Sequence, residues 1–148
     1  MPTTGTTLMT IVGITTSLGA YLADWNDTHI YNPRWPPHAK FHNGQTMSMG
    51  LVLGLTTLYY LYRHASTPEL KSHYVHTAAW TGSIYWITQL SAFLYPGALA
   101  VDPEFGTFAP QVYICVVLLG FVGVGLGLEK VRLAALGSGR GRAGEKRS

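Results

Sequence analysis

Four apolar stretches, each long enough to cross a bilayer, most constrain what this chain can fold into. A crossing takes about 20 residues at about 1.5 Å of rise each. The stretches run from about Thr6 to Ala23, Gln45 to Tyr62, Tyr74 to Tyr95 and Pro110 to Leu128. The first is the weakest, because it carries Thr7, Thr10, Thr15, Thr16 and Ser17. Hydroxyls of this kind can bond to their own helix backbone, so they do not forbid insertion. No Lys or Arg precedes its apolar run, and bulky Tyr21 sits at minus three of a cleavage site ending at Ala23. It therefore reads as a retained helix rather than a signal peptide.

Charge is scarce in the same way. Only 11% of the residues are charged, against roughly 25% in an ordinary soluble domain. That excludes a typical soluble globule and a disordered chain alike. The formal net charge of +3 does not point to nucleic acid, because six of the ten basic residues lie from Lys130 onward. No basic and aromatic stripe runs along a helix as such a binder needs. The single Cys115 excludes a disulfide framework or a cysteine-based zinc site within one chain. The expected fold is all-α, an integral membrane antiparallel four-helix bundle over residues 1–134, followed by a disordered basic tail at 135–148.

Lys and Arg set the orientation. Arg63 and Lys71 lie between the second and third stretches, and six more basic residues follow the fourth. These eight mark the cytoplasmic side, so both termini are expected there, with the endoplasmic reticulum as a candidate membrane. The segments 24–44 and 96–109 then face the lumen or exterior. Lipid supplies no hydrophobic drive between helices, so close backbone approach must hold them together. Gly50 and Gly54, and Gly123 and Gly127, have the required small-x-x-x-small spacing, and Gly13 and Gly19 add to the first stretch. Packing within the bundle is the simplest use of these glycines. Homo- or hetero-oligomers through glycine-rich helix faces are the other.

The segment from Asp24 to Gln45 holds three of the six histidines and two of the seven acids. Pro36-Pro37 suits the start of a helix, where proline is tolerated. A helix beginning there places His38, His42, Gln45 and Met49 on one face at spacings of four, three and four. That stripe is expected to run from the surface into the bundle, with Asp24, Asp27 and His29 close by. The third stretch offers Trp80, Tyr85, Trp86, Gln89 and Phe93 as an aromatic wall. An amide such as Gln89 at membrane depth is expected to face the bundle interior or a cavity.

An aromatic pocket capped by imidazoles and carboxyls suits acid–base chemistry on a lipophilic molecule. The candidate proton carriers are Asp24, Asp27, His29, His38 and His42. Asn32, Gln45, Trp80, Tyr85, Trp86 and Gln89 are the candidate substrate-binding residues. A blander account is open beside it: Trp25, Tyr31, Trp35 and Tyr95 fit an interfacial belt, and the loop could be a structural cap. His38 and His42 also have the spacing of a helical metal-binding pair, which His29 or Asp27 could complete. No Glu follows His38, so the H-E-x-x-H motif is missing, and no metal or cofactor is assigned.

The run Asp24-Trp25-Asn26-Asp27-Thr28-His29, followed by Asn32-Pro33-Arg34-Trp35-Pro36-Pro37-His38-Ala39-Lys40-Phe41-His42, resembles the signature of a family of small four-helix membrane proteins found mainly in fungi. The four-stretch layout is more loosely similar to sterol isomerases, and more loosely still to the membrane cyclases of meroterpenoid pathways. Those families move protons on polycyclic lipids with acidic residues inside an aromatic bundle. This chain departs from them, since its stretches hold no Glu except Glu129 at the cytoplasmic end of the fourth. No catalytic residue is carried over. The resemblance implies a membrane enzyme, an isomerase or cyclase of natural-product biosynthesis, acting on a lipophilic small molecule among membrane lipids. The alternative is a non-enzymatic membrane partner or carrier whose first loop is a recognition cap.

Overall fold

The computed structural model describes the backbone of residues 1–145 and the side chains as far as Ser138. Four helices follow one another, with no strand among the described residues: α1 (Thr4–Asp24), α2 (Pro37–Tyr62), α3 (Pro68–Ser91) and α4 (Pro110–Glu145). Three begin on a proline, whose fixed φ suits a first helical turn. Thr3 caps α1 by accepting from the Thr6 N–H at 3.1 Å, and Thr67 caps α3 by accepting from the Leu70 N–H at 3.1 Å. Two single 3-10 turns, Ala92–Leu94 and Pro103–Phe105, lie in the connection before α4. That connection bends through Gly97 and Gly106, whose φ values of 76° and 106° other residues rarely adopt.

Each helix packs on its chain neighbour, and α1 closes the ring on α4. The pairs run antiparallel: Gly13 meets Leu58, Ser17 meets Gly54, Thr57 meets Thr81, Gln89 meets Cys115 and Gly5 meets Gly125. Small residues set these distances. A Cβ on Gly54 would lie 2.5 Å from the Gly13 carbonyl oxygen, and one on Gly125 would lie 2.9 Å from the Gly5 carbonyl oxygen. Met9, Val12, Leu61, Val75, Trp86, Cys115 and Leu118 fill the space between the helices. Thr16, Ser17 and Thr57 are buried too, each bonding a carbonyl four residues back.

Two helices, Thr4–Asp24 and the Pro110–Ser138 part of α4, are long and apolar enough to cross a membrane. Sequence reading expects four such spans. Helices α2 and α3 fall short because polar side chains are spread along them, Gln45, Thr46, Ser48, Thr56 and Thr57 in α2 and His76, Thr77, Thr81, Ser83, Thr88 and Gln89 in α3. The tail expected at 135–148 begins within α4. Helix α4 continues through Glu145, past the break expected at 135, since Ala134, Ala135 and Leu136 are strong helix formers. Lys146, Arg147 and Ser148 of that tail lie outside the described residues.

Candidate functional site

Helix α2 buries Asn43, Met47, Gly50, Gly54, Thr57 and Leu61. The close approach of Gly50 to the Thr16 carbonyl and of Gly54 to Gly13 fixes that face inward. His38, His42, Gln45 and Met49 consequently point outward, and the stripe expected to enter the bundle lies exposed on its surface. It does hold together as a stripe. The Nε2 atoms of His38 and His42 are 3.0 Å apart, and His42 Nδ1 is 3.4 Å from Gln45 Oε1.

Asp24 meets a different histidine. Its Oδ1 lies 3.8 Å from His29 Nε2, and its Oδ2 accepts from Asn43 Nδ2 at 2.8 Å. Asn43 is buried, and its own Oδ1 has no hydrogen-bond partner among the described residues. His29 Nδ1 is 2.7 Å from the Thr28 hydroxyl, and the ring packs edge-on to Trp35 at 4.8 Å. Asp27 stands exposed on the loop. Asn32 is 1% exposed. It is spent on the loop itself, its Nδ2 donating to the Thr28 carbonyl at 3.4 Å and its Oδ1 accepting from the Arg34 N–H at 2.9 Å. Trp35 Nε1 donates to Asp102 at 3.4 Å, and Arg34 pairs with Glu104. These contacts strap the 25–36 loop to the 96–109 connection across one end of the bundle.

The expected aromatic wall divides. Trp86 is buried and donates from Nε1 to the Thr16 hydroxyl at 2.9 Å. Tyr85 stacks edge-on against it at 5.0 Å and covers Gly50. Trp80, 65% exposed, lies on the outside of α3 and joins no wall. Gln89 turns to α4, where its Oε1 is 3.5 Å from Cys115 Sγ. Both line a crevice of about 170 Å³, closed by Phe93, Leu99, Gln111 and Val112. Six of the eleven candidate residues therefore fall in three separate places: the Asp24–His29 couple, the outer His38–His42–Gln45 stripe, and the Gln89 crevice. Among the described residues, no three His, Cys, Asp or Glu side chains are grouped to hold a metal ion.

The opposite end carries a cluster that sequence reading leaves aside. Glu129 is 1% exposed. One of its oxygens accepts from Arg132 Nε at 2.9 Å and Nη2 at 2.6 Å. The other accepts from the hydroxyls of Thr3 and of Thr6, the latter at 3.3 Å. Lys71 Nζ donates to the Leu61 carbonyl at 2.7 Å and the Arg63 carbonyl at 3.5 Å, closing the C-terminus of α2. Burial at this end, ahead of the apolar stretch of α3, draws the Lys71 ammonium below the usual lysine range, and Glu129 partly offsets it. The available signal was an acid at the end of the apolar run of α4, with an Arg three residues on.

A family model matches residues 8–140. The chain belongs to that family of unknown function, DUF6640. No curated protein and no solved structure matches the chain.

Proposed function

We propose that this member of the family is a multi-pass membrane protein in which all four helices cross the bilayer. In this reading it binds a lipophilic small molecule in the Gln89 crevice as a carrier or partner protein. The outer faces support the membrane reading. Ile11, Ile14 and Leu18 of α1, Val52 and Leu55 of α2, Trp80 and Ile87 of α3, and Val116, Val124 and Val131 of α4 are all exposed large apolar side chains. A water-soluble bundle buries such faces, whereas lipid solvates them. The basic residues put the 63–67 turn on the cytoplasmic side, and the 24–45 and 96–109 segments on the other. The endoplasmic reticulum is a candidate membrane.

One observation carries the binding reading: the crevice is apolar except for the amides of Gln89 and Gln111 and the thiol of Cys115. Apolar walls with a few convergent polar groups are what a small hydrophobic ligand requires. A volume of about 170 Å³ suits one ring or a short chain segment, since a cavity of roughly 150 Å³ takes up benzene. None of Asp24, His29, His38 and His42 lines it, which favours binding over acid–base turnover. An apolar photoreactive probe in nanodiscs should label residues 89–115, and Ala98→Trp at the mouth should suppress the labelling. Even labelling of all four helices, unchanged in the variant, would sink this reading.

The Asp24–His29 contact favours a second reading, an isomerase or cyclase that uses this couple on a lipophilic substrate. Loss of turnover in both Asp24→Asn and His29→Ala, with probe labelling intact, would select it. Partner subunits have a surface available in either case. Gly120, Gly123 and Gly127 have nothing within 4 Å of a Cβ built on them among the described residues, unlike the glycines inside the bundle.

A further inference from the structure

A cleft of about 380 Å³ opens beside the buried Glu129–Arg132 pair, lined by Thr3, Thr6, Leu61, Tyr62, Lys71 and Arg132. We propose that this cleft binds the phosphate ester of an acidic membrane lipid, held by Lys71 and Arg132. The inference rests on the reading that the helices cross the bilayer, but on different residues from the Gln89 crevice.

Charge decides the ligand class. Two basic side chains, Lys71 and Arg132, line the cleft over the single buried carboxylate of Glu129, which leaves one positive charge in excess. Glu129 is 1% exposed and spends its oxygens on Arg132, Thr3 and Thr6. A guanidinium has five N–H donors, and only two of Arg132's are committed to Glu129. An ammonium has three, and two of Lys71's go to carbonyls. Donors thus remain on both side chains, on a group that is 37% exposed in the case of Arg132. An anion with several acceptor oxygens fits such a pair better than a neutral ligand does.

Position decides the source. The cleft sits at the end of the bundle that also carries Arg63 and Lys130, the cytoplasmic face under the positive-inside rule. Acidic lipids concentrate on that leaflet, and basic pockets between helices there take their headgroups. Leu61 and Tyr62 at the end of α2 supply an apolar and a phenolic surface where the headgroup meets the acyl region.

The test uses the full chain in phosphatidylcholine nanodiscs containing a minor fraction of phosphatidylglycerol, with bound lipid counted by native mass spectrometry after release. Retention of phosphatidylglycerol over phosphatidylcholine is expected. Lys71→Gln should weaken it about tenfold, the factor one charge-assisted contact commonly carries. Lys40→Gln, at the opposite end, should leave it unchanged. Arg132→Lys keeps a cation beside Glu129, so it tests the same donor without leaving the acid unpaired. A parallel thermal-shift titration with glycerol 3-phosphate separates the two sources. A shift that Lys71→Gln removes, with no lipid preference, supports the cleft and assigns it to a free ester. Equal retention of phosphatidylglycerol by the wild type, Lys71→Gln and Arg132→Lys overturns the proposal. Single-cysteine labelling of the same samples keeps failures apart. Opposite-side labelling of Asp27→Cys and Ser66→Cys, with neither acidic-lipid preference nor a glycerol 3-phosphate shift, overturns the cleft alone, whereas same-side labelling overturns the membrane reading and its lipid.

Discussion

The indole N–H of Trp86 donates to the hydroxyl of Thr16 at 2.9 Å, deep in the bundle, and joins α3 to α1 across its diagonal. Thr16 passes the bond on to the Val12 carbonyl at 2.8 Å. Trp86→Phe should destabilise the protein by about 1–2 kcal/mol, from a lost hydrogen bond and lost packing. A cycle with Thr16→Val should show coupling near 0.6 kcal/mol and below about 1.7 kcal/mol, the range for bonds between membrane helices. Reversible unfolding in mixed detergent, followed by tryptophan fluorescence, measures both.

Glycine should matter by location. Gly54→Ala forces a methyl against the Gly13 carbonyl and the Ser17 backbone, and should cost about 1–3 kcal/mol. Gly123→Ala meets nothing within 4 Å among the described residues and should be neutral, or stabilising by about 0.5–1 kcal/mol through helix propensity. The same unfolding assay ranks the two. Equal costs would contradict the packing described for α1 and α2.

Arg132→Ala should destabilise by about 3 kcal/mol, because it strands the carboxylate of Glu129 in a buried site. This is the low end for a broken buried pair, since the guanidinium is 37% exposed and water screens it. Replacing both partners, Glu129→Leu with Arg132→Leu, should recover most of the loss, as no buried charge then remains. Thermal denaturation of the single and double variants checks the order.

Much of the helical layout was legible in the residues, and the inward faces were not. Pro36-Pro37 announced the start of α2, and the His38–His42–Gln45 register followed from helical geometry. Which way that register points depends on Gly50 and Gly54 meeting α1, a tertiary contact that spacing alone does not encode. The same applies to α3, where Trp86 turns in and Trp80 turns out. The Asp24–His29 contact was foreseen as a neighbourhood, but its Asn43 partner was hidden as one amide among many. Glu129 was visible as the acid that ends the apolar run of α4. Its meaning depended on Thr3, Thr6 and Arg132 converging on it from both ends of the chain.

The central claim is that all four helices cross the bilayer, α2 and α3 included. Single cysteines placed on a Cys115→Ser background, at Asp27, Ser66 and Thr107, can be labelled from either side of sealed vesicles with a membrane-impermeant maleimide. The account predicts that positions 27 and 107 label from one side and position 66 from the other. Labelling of positions 27 and 66 from the same side would contradict it.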